Sequence, residues 1–268
     1  MAILVGSPAP LLRWAGRTEL DRPMKFLLLQ ARTPDDPAGP HELDAFREAL
    51  SADGDAIRPW DLLSGQPPED AIAAVDCIMV GGSGDFGVGD AKTHPWLAQF
   101  IELMGELADR KVPTFASCFG FQALVVAGGG EVLQDKSRAE VGTFELFTTD
   151  AGAGDVLFGA VAPRFFAQLG HKDHVTRMPS NMVHLAGSER SPYQALKIEG
   201  APIYATQFHP ELCMRRNRER FLRYLAGYSD PQMVDTPEQV MARYRETTAA
   251  TALLTRYVDE VLRPRLGR

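Results

Sequence analysis

Ala116-Ser117-Cys118-Phe119-Gly120-Phe121-Gln122 is the stretch whose reading decides the fold. The apolar run Val112-Pro113-Thr114-Phe115-Ala116 leads into it, and a helix-like run from Phe121 to Val126 leads out. A cysteine set between a strand and a helix reads as a nucleophile elbow when its neighbours are small. Here Ala116 stands two before it and Gly120 two after it. Such a turn is sharp, and larger side chains would collide with the backbone. The start of the following helix places partial positive charge near the sulfur and favours a thiolate. Taken alone, a cysteine of this kind is more often an inert core thiol. The surrounding chain has to decide between the two.

Upstream, Lys25-Phe26-Leu27-Leu28-Leu29-Gln30 is an apolar run of strand length, as expected for a strand buried on both faces of a parallel sheet. His41 to Leu50 reads as a helix, with Leu43, Phe46 and Leu50 on one face. Ala56 to Asp61 reads as a second strand that Pro59 assigns to a sheet edge. A short helical turn over Asp70–Ala74 precedes a third strand, Val75 to Val80. That strand runs into Gly81-Gly82-Ser83-Gly84-Asp85, a tight loop whose backbone can approach a ligand closely. No Gly-Lys-Ser/Thr follows, so it is not a phosphate loop. A longer helix spans His94 to Arg110. Alternating strands and helices predict an α/β fold with a doubly wound, mostly parallel sheet. Such sheets bind ligands beyond the carboxyl ends of their strands, where the glycine loop and the cysteine elbow both fall.

After Gly128-Gly129-Gly130 the pattern changes to shorter strands: 131–133, 140–148, 164–175, 183–186, 194–198 and 202–208. The last ends at His209-Pro210-Glu211. Cys213 to Leu225 reads as a helix, basic on its outer face. Thr236 to Leu262 reads as a further helix capped by Thr236, Pro237 and Gln239. The expected organisation is an extension over 1–23, a main domain over 24–228 and a C-terminal helical extension over 229–268. Residues 1–23 read as poorly ordered or as lying upstream of a true start at Met24.

The balance of 28 basic against 35 acidic residues gives a net charge of -7, which argues against general nucleic-acid or anionic-membrane binding. No apolar run approaches the ~20 residues of a membrane span. Three cysteines, Cys77, Cys118 and Cys213, form neither a disulfide framework nor a zinc-type spacing and fit a reducing, cytoplasmic setting. His171, Asp173, His174 and His184 read as surface or pocket-lining residues, and no metal is expected.

Cysteine catalysis needs a base beside the sulfur and a third group to orient that base. His209 and Glu211, separated by Pro210, supply that pair. An oxyanion needs backbone N–H donors, and Phe119 and Gly82 occupy suitable positions.

Gly81-Gly82-Ser83-Gly84, Cys118-Phe119-Gly120-Phe121-Gln122, Gly170-His171-Lys172-Asp173-His174-Val175 and Gln207-Phe208-His209-Pro210-Glu211 occur in that order. Together they resemble the class I (triad) glutamine amidotransferase family, in particular its GMP-synthase-type members. The resemblance covers roughly residues 25–228 and implies a flavodoxin-like α/β fold. It implies a catalytic Cys118, His209 and Glu211, oxyanion donors at Gly82 and Phe119, and substrate contacts from Gly81, Gln122, His171, Lys172 and Asp173. The implied chemistry is cleavage of a γ-glutamyl amide through a glutamyl thioester, with no cofactor.

The chain departs from the family pattern at Ser83, where proline is usual, and at Ser117 and Lys172, where glycine is usual. Ser117 requires a backbone conformation open to non-glycine residues, and Lys172 is expected to narrow or recharge the pocket. The residues after Glu211 hold no ATP-binding loop, so the expectation is a standalone amidotransferase-like domain. It would hydrolyse glutamine or a γ-glutamyl conjugate. Other readings are a glutaminase subunit that docks a synthetase partner through the tail and passes it ammonia, a homo-oligomer, or a non-catalytic module.

Overall fold

The computed structural model describes residues 23–52, 56–84, 86–230 and 232–267. The extension expected over 1–23 therefore lies, but for Pro23, outside the described residues. The apolar run from Phe26 becomes β1 (Phe26–Ala31), whose Phe26, Leu27, Leu28 and Leu29 are all buried. It is followed by α1 (Ala38–Leu50), β2 (Ile57–Asp61), α2 (Glu69–Ala73), β3 (Cys77–Ser83), α3 (Pro95–Asp109), β4 (Thr114–Ser117) and α4 (Phe119–Ala127). Next come β5 (Glu131–Gln134), β6 (Glu140–Thr148), α5 (Asp150–Ala153), β7 (Arg164–His171), β8 (Asp173–Arg177), β9 (Met182–Gly187), β10 (Ala195–Ile198) and β11 (Ile203–Thr206). Helices α6 (Met214–Arg223), α7 (Leu225–Tyr228), α8 (Pro237–Arg243), α9 (Thr248–Arg256) and α10 (Arg263–Arg265) end the chain, with a π-helical turn at Tyr257–Leu262.

Nine strands form one sheet in the order β2-β1-β3-β4-β11-β10-β9-β6-β7. The first five run parallel, and each of the last four is antiparallel to its neighbour. Side chains alternate between the faces. Phe26, Leu28, Cys77, Met79 and Phe115 pack on one side with Phe46 of α1 and Leu253 and Leu254 of α9. Leu27, Leu29, Ile78, Val80 and Ala116 pack on the other with Phe100 and Met104 of α3 and Phe121 and Leu124 of α4. The result is a doubly wound α/β fold with helices on both faces. Pro59 sits on β2, at the sheet edge, where a missing N–H costs no ladder bond.

The parallel half positions the site. β3, β4 and β11 are neighbours running the same way, so their carboxyl ends share one edge. Gly81, Gly82 and Ser83, expected in a loop, instead extend β3 to that edge, and Cys118 and Gln207–His209 follow β4 and β11. β5 and β8 pair as a separate two-stranded sheet that sets Gln134 opposite Asp173 beside that edge.

The tail departs from the single helix expected over Thr236–Leu262. Thr236 caps α8 as expected: the Gln239 N–H donates to Thr236 Oγ1 (3.3 Å) and the Thr236 N–H to Gln239 Oε1 (2.8 Å). The helix then stops at Arg243 because the backbone of Arg245 is taken by the sheet. Its N–H donates to Thr143 Oγ1 (3.1 Å), and its carbonyl accepts from Gln168 Nε2 (2.9 Å). The chain restarts as α9, and Leu253, Leu254, Tyr257 and Leu262 are buried in the core. The apolar face of the tail is covered by the protein's own sheet.

Candidate active site

Cys118 links the end of β4 to the start of α4 with φ 50° and ψ −97°. That left-handed backbone is costly for a residue with a Cβ, and it marks a strained turn of the kind that lifts a nucleophile off the sheet. The turn is held from below: the Cys118 N–H donates to the Thr206 carbonyl (2.7 Å), and the Gln122 N–H closes α4 onto the Cys118 carbonyl (3.1 Å). Gly120 is required where it stands. A Cβ there would meet Val80 Cγ1 at 2.6 Å and Ala116 Cβ at 3.0 Å. Ser117 is an ordinary strand residue without positive φ, buried, with Oγ donating to the Val80 carbonyl (3.2 Å). The conformational demand expected at Ser117 falls on Cys118 instead.

His209 is buried, and its Nδ1 lies 2.6 Å from Glu211 Oε1. Burial opposes a charge on the ring. The Glu211 carboxylate on one side and the Cys118 sulfur on the other outweigh it and raise the His209 pKa to about 9. Gln207 Nε2 donates to Cys118 Sγ (3.6 Å) and is the one sulfur partner the sequence did not single out. The other cysteine of the sheet behaves differently: burial pushes the Cys77 thiol up to about 12.

Cys118 and His209 line a cavity of about 440 Å³ with Phe119, Gln122, His171, Lys172 and Asp173. Its far wall comes from α6 and α7 through Arg220, Tyr224 and Tyr228. Several of the residues expected to bind substrate are already engaged. Gln122 Nε2 donates to the Asp173 carbonyl (3.1 Å) and to Gln207 Oε1 (3.0 Å). The His171 ring spans the Asp173 carbonyl (2.9 Å) and Glu140 Oε2 (3.1 Å). Asp173 Oδ1 accepts from Gln134 Nε2 (3.1 Å). Lys172 stands over the Tyr228 ring, with Nζ 5.2 Å from its centroid. Among the described residues no group of three potential ligands converges on a metal position.

The glycine loop differs from expectation. The Gly82 N–H donates to Glu42 Oε1 (3.1 Å) rather than into the cavity. Neither Gly81 nor Gly82 lines the cavity, which is reached instead by Ser83 and Gly84. The cause is a buried ion-pair cluster behind the loop. Glu42 on α1 is wholly buried and is held by Arg32 Nη2 (2.9 Å) and Gln30 Nε2 (3.0 Å). Burial would raise the Glu42 carboxyl, but Arg32 holds it below its ordinary value. Gly81 must be glycine because a Cβ would stand 2.5 Å from that carboxylate. The Phe119 N–H opens α4 and has no preceding helical carbonyl to pair with.

Fold and site together define an α/β protein with a cysteine elbow facing a carboxylate-clamped histidine at the carboxyl edge of a parallel sheet. A family model for class-I glutamine amidotransferases matches residues 60–225, more than half of the 268 residues, and the chain belongs to that family. It is 34% identical over 157 residues to a glutamine-hydrolysing GMP synthase subunit from Ignicoccus hospitalis, covering 59% of this chain and 75% of that one. It is 29% identical over 156 residues to the GMP synthase of Thermosipho africanus, covering 58% of this chain but only 27% of that protein. Among solved structures, a glutamine amidotransferase of Thermotoga maritima has a TM-score of 0.70 at 19% identity, covering 89% of this chain and 98% of that one. A glutamine amidotransferase of Methylobacillus flagellatus has a TM-score of 0.67 at 18% identity, covering 92% and 96%. The expected class I amidotransferase fold is the fold observed.

Proposed function

We propose that this protein hydrolyses a γ-glutamyl amide through a thioester on Cys118. The observation that carries this reading is the strained Cys118 backbone set against His209, itself fixed at 2.6 Å by Glu211. Cys118 sulfur attacks the γ-carbonyl carbon, a C–S bond forms, and the carbonyl oxygen takes up negative charge. The Phe119 N–H, at the start of α4, receives that charge under this reading. For Gly82 to act as a second donor, its N–H must turn from Glu42 Oε1 into the cavity. His209, held cationic beside Glu211, gives a proton to the departing nitrogen as the C–N bond breaks. Water activated by His209 then attacks the thioester, releasing glutamate and restoring the thiol. Glu211 orients the ring and offsets its charge throughout.

The substrate under this reading is glutamine or a γ-glutamyl conjugate, held by the Gln122 and His171–Asp173 side of the cavity. A cytoplasmic, reducing setting suits the free thiol. A second reading, a glutaminase component feeding a separate synthetase, is favoured by one observation. Relatives such as those of Ignicoccus hospitalis and Pyrococcus abyssi are separate subunits of glutamine-hydrolysing GMP synthases. The test is release of ammonia or amine by the purified full chain from glutamine and from γ-glutamyl amides. Cys118→Ala is expected to lower it by at least about a thousandfold. Activity unchanged by that substitution overturns the proposal.

A further inference from the structure

The Cys118 sulfur has a second polar neighbour besides His209. Gln207 Nε2 stands 3.6 Å from Sγ, on a side chain that is wholly buried. β11 pairs with β4 so that Thr206 lies opposite Ser117, and Gln207 and Cys118 therefore leave the sheet side by side. The Gln207 backbone N–H donates to the Gln194 carbonyl (2.8 Å), which fixes the point from which the side chain starts.

A carboxamide can turn either its oxygen or its nitrogen to a sulfur, with opposite consequences for charge there. A backbone carbonyl decides between them here. The Asp173 carbonyl can only accept, and it meets the end of Gln122 at 3.1 Å, so that atom of Gln122 is Nε2. The same Nε2 lies 3.0 Å from the end of Gln207, which must answer with Oε1. With its oxygen so engaged, Gln207 has its Nε2 left to face Cys118. Gln122, expected among the substrate contacts, spends both Nε2 hydrogens inside the protein.

A hydrogen bond to a charged acceptor is about twice as strong as one to a neutral acceptor, so this donor favours thiolate over thiol. Its action is separate from that of His209. The imidazolium charge goes when its proton passes to the leaving nitrogen. The Gln207 amide does not titrate, and it keeps a donor on the sulfur through the whole cycle.

We propose that Gln207 is a catalytic residue: it stabilises the Cys118 thiolate before attack and again as the leaving group when water cleaves the thioester. Gln122 is the positioning residue that keeps this donor aimed. The inference rests on the Cys118 reading of the site. The proton balance is that of the cleavage itself: the thiol proton goes to His209 and then to the departing nitrogen. In the second step water gives a proton to His209, and the C–S bond breaks to return the thiolate.

The test is the rate at which iodoacetamide alkylates Cys118 in the full-chain protein, followed across pH by peptide mass mapping without substrate. Cys77, whose thiol burial pushes up to about 12, is the silent reference. Gln207→Met keeps the length of the side chain and removes the donor. It is expected to slow alkylation at neutral pH by at least about tenfold and to move the profile to higher pH. A packing fault alone would change the rate at every pH without moving the profile. Gln122→Leu leaves the donor but frees it to turn, and a fall of about threefold with a smaller displacement in the same direction is expected. A folded Gln207→Met with an unmoved profile overturns the assignment. Where Gln207→Met does not fold, a folded Gln122→Leu with an unmoved profile overturns it instead. A displaced profile in a protein that hydrolyses no γ-glutamyl amide sinks the cleavage reading and leaves Gln207 as the thiolate donor. Hydrolysis lost in Cys118→Ala, with a profile that Gln207→Met does not move, does the reverse.

Discussion

His209 carries the most specific consequence of the site's electrostatics. Its pKa is lifted from 6.5 to about 9, against the effect of burial, by Glu211 and Cys118. A group raised in the folded state stabilises the fold fully below its unfolded value. That contribution is complete below about pH 6.5 and is lost as pH rises through about 9. Under the proposed mechanism the same titration removes the proton given to the leaving nitrogen, so kcat/KM is expected to fall above about pH 9. Glu211→Gln removes the leading upward influence. Its alkaline limb should move to lower pH in a profile of amide hydrolysis, and an unmoved limb would show that Glu211 does not set the charge of His209. Cys118, His209 and Glu211 were legible in the sequence because each follows a strand and two of them are two residues apart. Gly82 was only half legible. Its place in the loop was evident, but the direction of its N–H depends on Glu42, a helix residue 40 positions earlier in the chain. Gln207 lay inside a recognised motif, but only the pairing of β11 with β4 brings its amide to Cys118.

At the level of elements, the elbow depends on how closely α4 sits on β3 and β4. Gly120→Ala adds a methyl 2.6 Å from Val80 Cγ1, where the strand cannot yield without disturbing the core. The expected cost is about 1–3 kcal/mol in urea unfolding, together with weaker activity as Cys118 shifts. An unchanged midpoint would mean the helix rides further from the sheet than 2.6 Å implies. The ion-pair cluster behind the glycine loop offers a second check. Glu42→Ala leaves Arg32 buried with Asp36 as its remaining acidic partner (3.0 Å). A loss of about 3–5 kcal/mol is expected by thermal or denaturant unfolding. The tail shows where element boundaries escape a sequence reading. Helical spacing continues from α8 into α9, and nothing local announces the break. The break comes from Thr143 and Gln168 hydrogen bonding to Arg245, about 100 and 77 residues away in sequence.

Across the whole molecule, the tail belongs to the core. Leu254, on α9, is fully buried between α1 and the strands of the sheet. Leu254→Ala is expected to cost about 2–5 kcal/mol, and removing residues 229–268 should leave a chain that does not fold, as read by circular dichroism and solubility. A soluble, folded truncation would return the tail to the role of an appended docking element. The doubly wound sheet could be read from alternating apolar runs and glycine-rich loops, since each strand carries its own two-faced burial. The α6–α7 wall of the cavity could not. Arg220 looks like part of a basic helix surface in sequence, and only the packing of α6 on β6 and β7 sets it, with Tyr224 and Tyr228, along the cavity.

The covalent intermediate proposed on Cys118 is open to direct detection. Rapid acid quenching during turnover of a γ-glutamyl substrate, followed by peptide mass mapping, should find one glutamyl group on the Cys118 peptide and none on those of Cys77 and Cys213. Turnover with no adduct on Cys118, undiminished in Cys118→Ala, would contradict it.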